Sequence, residues 1–221
     1  MSKSLGNVVN PNEPIELYGA DTLRLFEMFM GPLDAMKPWN TKSIMGPRRF
    51  IERVWRLKDK VADVEMADEN VHYDVHATIK KVTEDMEALA FNTAVSQLMI
   101  LLNTLEGLPQ VPTSIFELYL KLFAPLAPHV TEELWSELGH AESIHAQVWP
   151  VFDESKLQRT IITLVVQINS KVRAKISVEA RADAQAIEAA AREAVMQKLD
   201  GLEIERVVHV PGRLVNFVIK T

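Results

Sequence analysis

Residues 71–89 read VHYDVHATIKKVTEDMEAL, and the spacing of their apolar positions decides how the longer part of the chain folds. Val71, Val75, Ile79, Val82, Met86 and Leu89 recur at steps of four, four, three, four and three. Side chains three and four apart share one helix face, so these six form a continuous apolar stripe between charged residues. The segment 70–90 therefore reads as an amphipathic helix, and such a helix needs others to cover it.

Its neighbours supply them. Upstream, Asp21 stands where an N-cap would precede TLRLFEMFM, which stops at Gly31-Pro32. The stretch GPLDAMKPWN then holds too much Gly and Pro for regular structure. Asn40 or Thr41 opens a long helix through SIMGPRRFIERVWRLKDKV, with Ile44, Ile51, Val54, Trp55 and Val61 on one side and Pro47 confined to the first turns. Downstream, Asn92 begins a helix that buries Val95, Leu98, Leu102 and Leu105. Thr113 or Ser114 caps IFELYLKLFA, and Pro128 starts HVTEELWSEL, closed by Gly139. Short connections make this an antiparallel-type helical bundle. Trp55 and Trp135 lie in apolar stripes and read as core, and Trp149 closes the bundle.

After Trp149-Pro150 the period changes. IITLVVQI (161–168) and VRAKISVE (172–179) alternate and are β-branched, so both read as strands. DAQAIEAAAREAVMQK (183–198) is an Ala-rich helix with Gly201 soon after it, and IERVVHV and LVNFVIK are strands around Pro211-Gly212. The fold class expected is mainly α: a helical bundle over 14–150, a linker over 151–159 with no rigidifying feature, and a small α+β unit (ββαββ) over 160–221. Residues 1–13 stand apart as a short leading loop. In the first hairpin, a three-residue loop Asn169-Ser170-Lys171 pairs Ile168 with Val172, Val166 with Ala174 and Leu164 with Ile176, leaving every inward partner apolar. A longer loop or a bulge is thus expected, with Arg173 and Lys175 pointing outward and Ser170 in an ordinary backbone region.

Composition narrows the functions. With no cysteine among 221 residues, disulfides and cysteine-ligated zinc are excluded. No apolar run reaches the roughly 20 residues of a membrane helix, so a cytoplasmic protein with no membrane partner is expected, and separately a monomer. Net charge is −6 but unevenly spread: residues 1–155 hold 13 Lys and Arg against 23 Asp and Glu, whereas 156–221 hold 11 against 7. The basic C-terminal unit is the candidate polyanion binder. Its candidates are Asn169 at the loop tip with Lys171, Arg173, Lys175 and Arg213. Arg48, Arg49, Arg53 and Arg56 give one helix a basic aspect suited to phosphates; a solvated face with Glu52 paired to Arg56 at i,i+4 accounts for it equally well. His72 and His76 have a metal-compatible spacing, but the Glu of HExxH is missing and both read as ordinary exposed histidines. No metal site is expected within the chain.

One segment carries a chemical signal of its own. Ser2, Lys3 and Ser4 precede Gly6-Asn7, a donor-rich stretch in which a lysine ammonium can stabilise phosphate oxygens. MSKSLGNVVNP (1–11), YGADTLRLF (18–26), RFIERVWRL (49–57), APHVTEELW (127–135), IHAQVWPVFD (144–153), NSKVRAKI (169–176) and VPGRLVNFVI (210–219) together resemble the class I aminoacyl-tRNA synthetases, and most closely the leucyl-tRNA synthetase family from its KMSKS signature onward. The resemblance runs the full length of the chain. It implies a parent ligase that activates leucine with ATP (magnesium as counter-ion) and esterifies tRNA(Leu). Lys3 would neutralise the leaving pyrophosphate, with Ser2 and Ser4 shaping the ATP-closing loop. The bundle resembles that family's anticodon-binding-type domain, and the last unit its small C-terminal tRNA-binding domain.

The departures are as informative. The family has a lysine before the methionine, its His-Ile-Gly-His signature is absent, and Ser170 stands where Asn-Gly-Lys is usual. The expectation is a C-terminal fragment, inactive alone, that reaches leucine and ATP only through a missing catalytic domain. The alternatives are a fragment of an isoleucyl- or valyl-type enzyme, or a stand-alone RNA-binding or interaction module.

Overall fold

The computed structural model describes residues 8–66, 68–158 and 161–220. The chain divides into two compact units after Leu157, each described by itself.

The first unit is helical: α1 (Asn12–Tyr18), α2 (Ala20–Phe29), α3 (Met45–Leu57), α4 (Glu69–Glu87), α5 (Phe91–Glu106), α6 (Thr113–Phe123) and α7 (Pro128–Glu137). Two short strands, β1 (Val61–Ala62) and β2 (Val111–Pro112), pair in parallel and tie the end of α3 to the start of α6. The stripe on α4 is buried at Val71, Val75, Ile79 and Val82, facing Val95, Leu98, Leu102 and Leu105 of α5 and Phe116, Tyr119 and Phe123 of α6. Tyr119 is fully buried and donates to the Leu98 carbonyl at 3.3 Å; burial pushes its phenol well above its ordinary value.

Helix ends depart from the expected pattern in three places. Asp21 lies inside α2 and caps a different helix, accepting the backbone N–H groups of Val130 (2.7 Å) and His129 (3.3 Å) in the first turn of α7. That turn begins after Ala127, which has no side-chain acceptor to offer. Thr113 does not cap α6; Pro112 holds that position, and the Thr113 hydroxyl donates to the Ala62 carbonyl at 3.1 Å. Leu89 leaves the stripe: it is 55% exposed with φ +55°, at the left-handed position after α4. Ala90 N–H to Asp85 O (2.7 Å) and Leu89 N–H to Met86 O (3.2 Å) close the helix as a Schellman turn without its usual glycine. Asn40, by contrast, caps as expected, accepting from Lys42 N–H at 3.0 Å.

Residues 149–156 are fastened along α4 rather than free. Trp149 donates its indole N–H to the Thr83 hydroxyl (2.8 Å), and Lys80 lies 5.5 Å from the Phe152 ring centroid. The Asp153 N–H donates to His76 Nδ1 at 3.0 Å.

The second unit is a four-stranded sheet, β3 (Ile161–Ile168), β4 (Lys171–Glu179), β5 (Ile204–Val210) and β6 (Leu214–Ile219), with α8 (Ala184–Ala194) and α9 (Met196–Leu199) between β4 and β5. Val195, at φ −121°, breaks what the sequence suggests is one helix. Strand order is β4-β3-β6-β5, with β3 and β6 parallel. Leu164, Val166, Ile168, Val215 and Phe217 pack with Ile187, Ala191 and Val195. Alternation along the strands turns one face of the sheet toward α8 and α9 to form the core.

The hairpin register agrees at Leu164–Ile176 and Val166–Ala174 but shifts after Val166, so that Ile168 pairs with Lys171, not Val172. The loop is a two-residue turn plus a bulge. Asn169 (φ +46°) and Ser170 (φ +64°) both hold left-handed backbone, as a type I′ turn demands, so Ser170 is not in an ordinary region. Among the described residues, no helix is long and apolar enough to cross a membrane.

Candidate functional site

Ser2, Lys3 and Ser4 fall outside the described residues. The two other groups of candidate residues lie one in each unit.

On α3 the four arginines divide by partner. Arg48 is half-buried and committed: Nε donates to Glu52 Oε1 at 2.8 Å and a terminal nitrogen to the Tyr18 carbonyl at 3.1 Å. Glu52 thus pairs with Arg48 one turn before it, not with Arg56. Arg53 forms a fork on Glu106 (3.0 and 2.5 Å) and reaches Asn103 Oδ1 at 2.5 Å, clamping α3 to α5. The hydrogen bond from Arg53 holds the Glu106 carboxyl below its ordinary value and raises the guanidinium in turn. Arg49 and Arg56 are exposed and carry no ion pair among the described residues. The helix therefore offers two uncommitted cations, not four.

An open cleft of about 640 Å³ lies beside this helix, between α3, the α1–α2 junction and the start of α7. Trp55 lines it, so the indole is not wholly core; Lys58 Nζ stands 4.1 Å from its ring centroid. Nothing in the apolar periodicity distinguishes Trp55 from a core residue, because the cleft is completed by residues about thirty positions upstream and seventy downstream.

In the sheet unit, Lys171, Arg173 and Lys175 are all exposed along β4, an edge strand. Lys175 pairs with Val165, on the face away from Ala174, Ile176 and Val178, which pack against the core. The shift between Val166 and Gln167 leaves Arg173 without a pairing partner on β3, and its carbonyl accepts from Lys198 Nζ at 3.0 Å. Lys198 is a cation that sequence reading missed; it sits near a helix end, where a basic residue reads simply as a match to the helix dipole. Arg213 is exposed in the β5–β6 turn, where its carbonyl accepts from Val165 N–H at 3.1 Å. Asn169 holds the hairpin in place, because its side-chain oxygen accepts from Ile219 N–H at 3.0 Å, while Asn216 reciprocates by accepting from Ser170 N–H at 3.0 Å. These two bonds lock the hairpin tip to β6 and so fix the direction of the basic edge.

His72 and His76 are half-buried rather than exposed. A ring nitrogen of His72 meets the Met66 carbonyl at 3.1 Å, and His76 Nδ1 receives Asp153 N–H. Among the described residues, no three His, Asp or Glu side chains come together as a metal cluster.

The arrangement is a set of exposed cations carried on one helix and one edge strand, which suits holding a polyanion. Residues 68–188, from the cap of α4 into α8, match the family described as the anticodon-binding domain of tRNA ligase, and the chain belongs to that family. Its whole length also overlays on part of a solved structure, the ternary complex of Agrobacterium radiobacter K84 agnB2 LeuRS with tRNA and LeuAMS, at 28% identity and a TM-score of 0.71. That match covers 100% of this chain and 32% of the LeuRS chain, so the chain spans about a third of its length. The resemblance to leucyl-tRNA synthetase, and the order of helical bundle followed by small α+β unit, are both borne out.

Proposed function

We propose that this chain is the tRNA-holding part of a leucine–tRNA ligase, which it positions on tRNA(Leu) through the exposed arginines of α3 and the basic edge of the sheet unit. One observation carries the reading: Lys171, Arg173 and Lys175 stand exposed along a single edge strand, in the part of the chain with an excess of positive charge. Lysines on an edge strand also discourage strand-to-strand association. The bulge at Arg173 and the nearby Lys198 add charge at the same place, which favours a phosphate backbone as partner.

Phosphate contacts fix position and register, not base identity. Specificity for leucine and its tRNA is therefore assigned on the resemblance to leucyl-tRNA synthetase and the match to the LeuRS–tRNA complex. On the same ground, residues 1–13 are the ATP-closing loop. There Lys3 neutralises the pyrophosphate as the leucine carboxylate attacks the α-phosphate, and Ser2 and Ser4 donate to or shape the loop.

The test is charge reversal. The double variant Arg173→Glu, Lys175→Glu should weaken tRNA binding by the chain about ten-fold or more near physiological salt, with a flatter salt dependence. Unchanged affinity and salt slope would remove the sheet edge from the interface.

A further inference from the structure

The cleft beside α3 has a chemistry that general backbone contacts do not require. Ile51, Trp55 and Val130 give it an apolar lining, and Arg48, Arg56 and His129 bring cationic or titratable side chains. Two acids also line it, yet both are engaged: Asp21 by the backbone of His129 and Val130, and Glu52 by Arg48. Arg48 is itself spent on Glu52 and the Tyr18 carbonyl. Arg56 remains exposed and without an ion pair among the described residues. The cleft thus presents the Trp55 indole, Tyr18, His129, two aliphatic side chains and, in Arg56, a guanidinium without an ion pair among the described residues, whose charge also helps hold Glu106 down. A flat aromatic ring carrying an anionic group matches that set, because aromatic side chains stack on any base and Arg pairs with phosphate. Its volume, about 640 Å³, lies within the usual range of small-molecule sites.

We propose that this cleft receives an unstacked nucleotide of the bound tRNA, with the base against Trp55 and its phosphate on Arg56. The proposal rests on the tRNA-holding reading above and adds to it a subsite on the helical unit that grips one nucleotide. Lys58, held by Glu137 at 2.6 Å, sits over the Trp55 ring but does not line the cleft.

The experiment uses the whole 221-residue chain with Trp55→Leu, which keeps apolar bulk but removes the π face, and Arg56→Gln, an exposed change that keeps the test open should Trp55→Leu misfold. Leucine tRNA binding is measured across a salt series, and AMP serves as the free-nucleotide probe, followed through the Trp55 indole N–H in NMR spectra. Each variant should lose on the order of ten-fold in tRNA affinity, and Arg56→Gln should also lower the salt slope by about one. If the wild-type chain binds tRNA and both variants bind it equally well with an unchanged slope, the subsite is overturned and the broader tRNA reading survives. If the wild-type chain binds no tRNA, both fall. AMP binding that Trp55→Leu abolishes, with tRNA affinity unchanged, would make this a free-nucleotide pocket and overturn the RNA assignment.

Discussion

The Asp21 carboxylate accepts the backbone N–H of Val130 at 2.7 Å across 109 positions of sequence, with a second bond of 3.3 Å from His129. It satisfies the first turn of α7 from the first turn of α2 and fixes the two helices to each other. Asp21 is only 8% exposed, so water cannot readily replace it. Asp21→Ala should destabilise the helical unit by about 2 kcal/mol, the usual loss for a removed cap plus stranded donors. Asp21→Asn, which keeps one acceptor oxygen, should recover much of that. Urea denaturation checks both; an alanine variant as stable as wild type would show that the bond does not matter.

Ser170 bears a conformational cost that glycine would not. At φ +64°, beside Asn169 at +46°, it occupies the second left-handed position of a two-residue hairpin turn. Ser170→Gly should therefore stabilise the sheet unit by about 1 kcal/mol. Its bond to Asn216 Oδ1 is donated by the residue-170 backbone N–H and survives the change. Thermal melting of the unit is the measurement, and a lower midpoint would contradict the turn assignment.

His76 makes stability depend on pH in a defined direction. Its Nδ1 accepts the Asp153 N–H, which requires a neutral ring. Partial burial, chiefly, holds it below its ordinary value of 6.5; His72 and Lys156 lower it further and Asp153 opposes them. Because the folded value is depressed, the unfolded chain takes up the proton first. The contribution is then complete above about pH 6.5 and declines as pH falls below it. His76→Gln, which keeps an acceptor, should lose less stability than wild type between about pH 7.5 and about pH 5.5, on either side of that ordinary value. Equal losses would mean that the bond is not coupled to the proton.

Most of the fold was legible because it is written in local periodicity. The α4 stripe, the change to alternation after Pro150 and the apolar pairs Leu164–Ile176 and Val166–Ala174 all follow from side chains a few positions apart. What escaped was set at long range. An acid at the start of a helical stretch resembles a cap for that helix, and nothing nearby points to Val130. At the hairpin tip, a bulge at Arg173 absorbs the odd residue, so a two-residue turn satisfies the same alternation as the expected longer loop. The site divides in the same way. Exposed cations on β4 could be read from the strand pattern, but on α3 the sequence could not separate Arg53, taken by Glu106 and Asn103 on α5, from Arg49 and Arg56, which have no ion pair among the described residues. That Trp55 also lines a cleft likewise showed only once Tyr18 and Val130 were placed around the same opening.

The tRNA-holding reading is tested most directly by measuring the affinity of the chain for leucine tRNA against one other tRNA over a salt series. Binding should fall steeply as salt rises, by an order of magnitude or more between about 50 and 200 mM for several phosphate contacts. Leucine tRNA should be held the more tightly at each salt concentration. Absence of binding at low salt, or affinity indifferent to salt, would contradict the role in holding tRNA, and equal affinity for the two tRNAs would contradict the assignment to leucine.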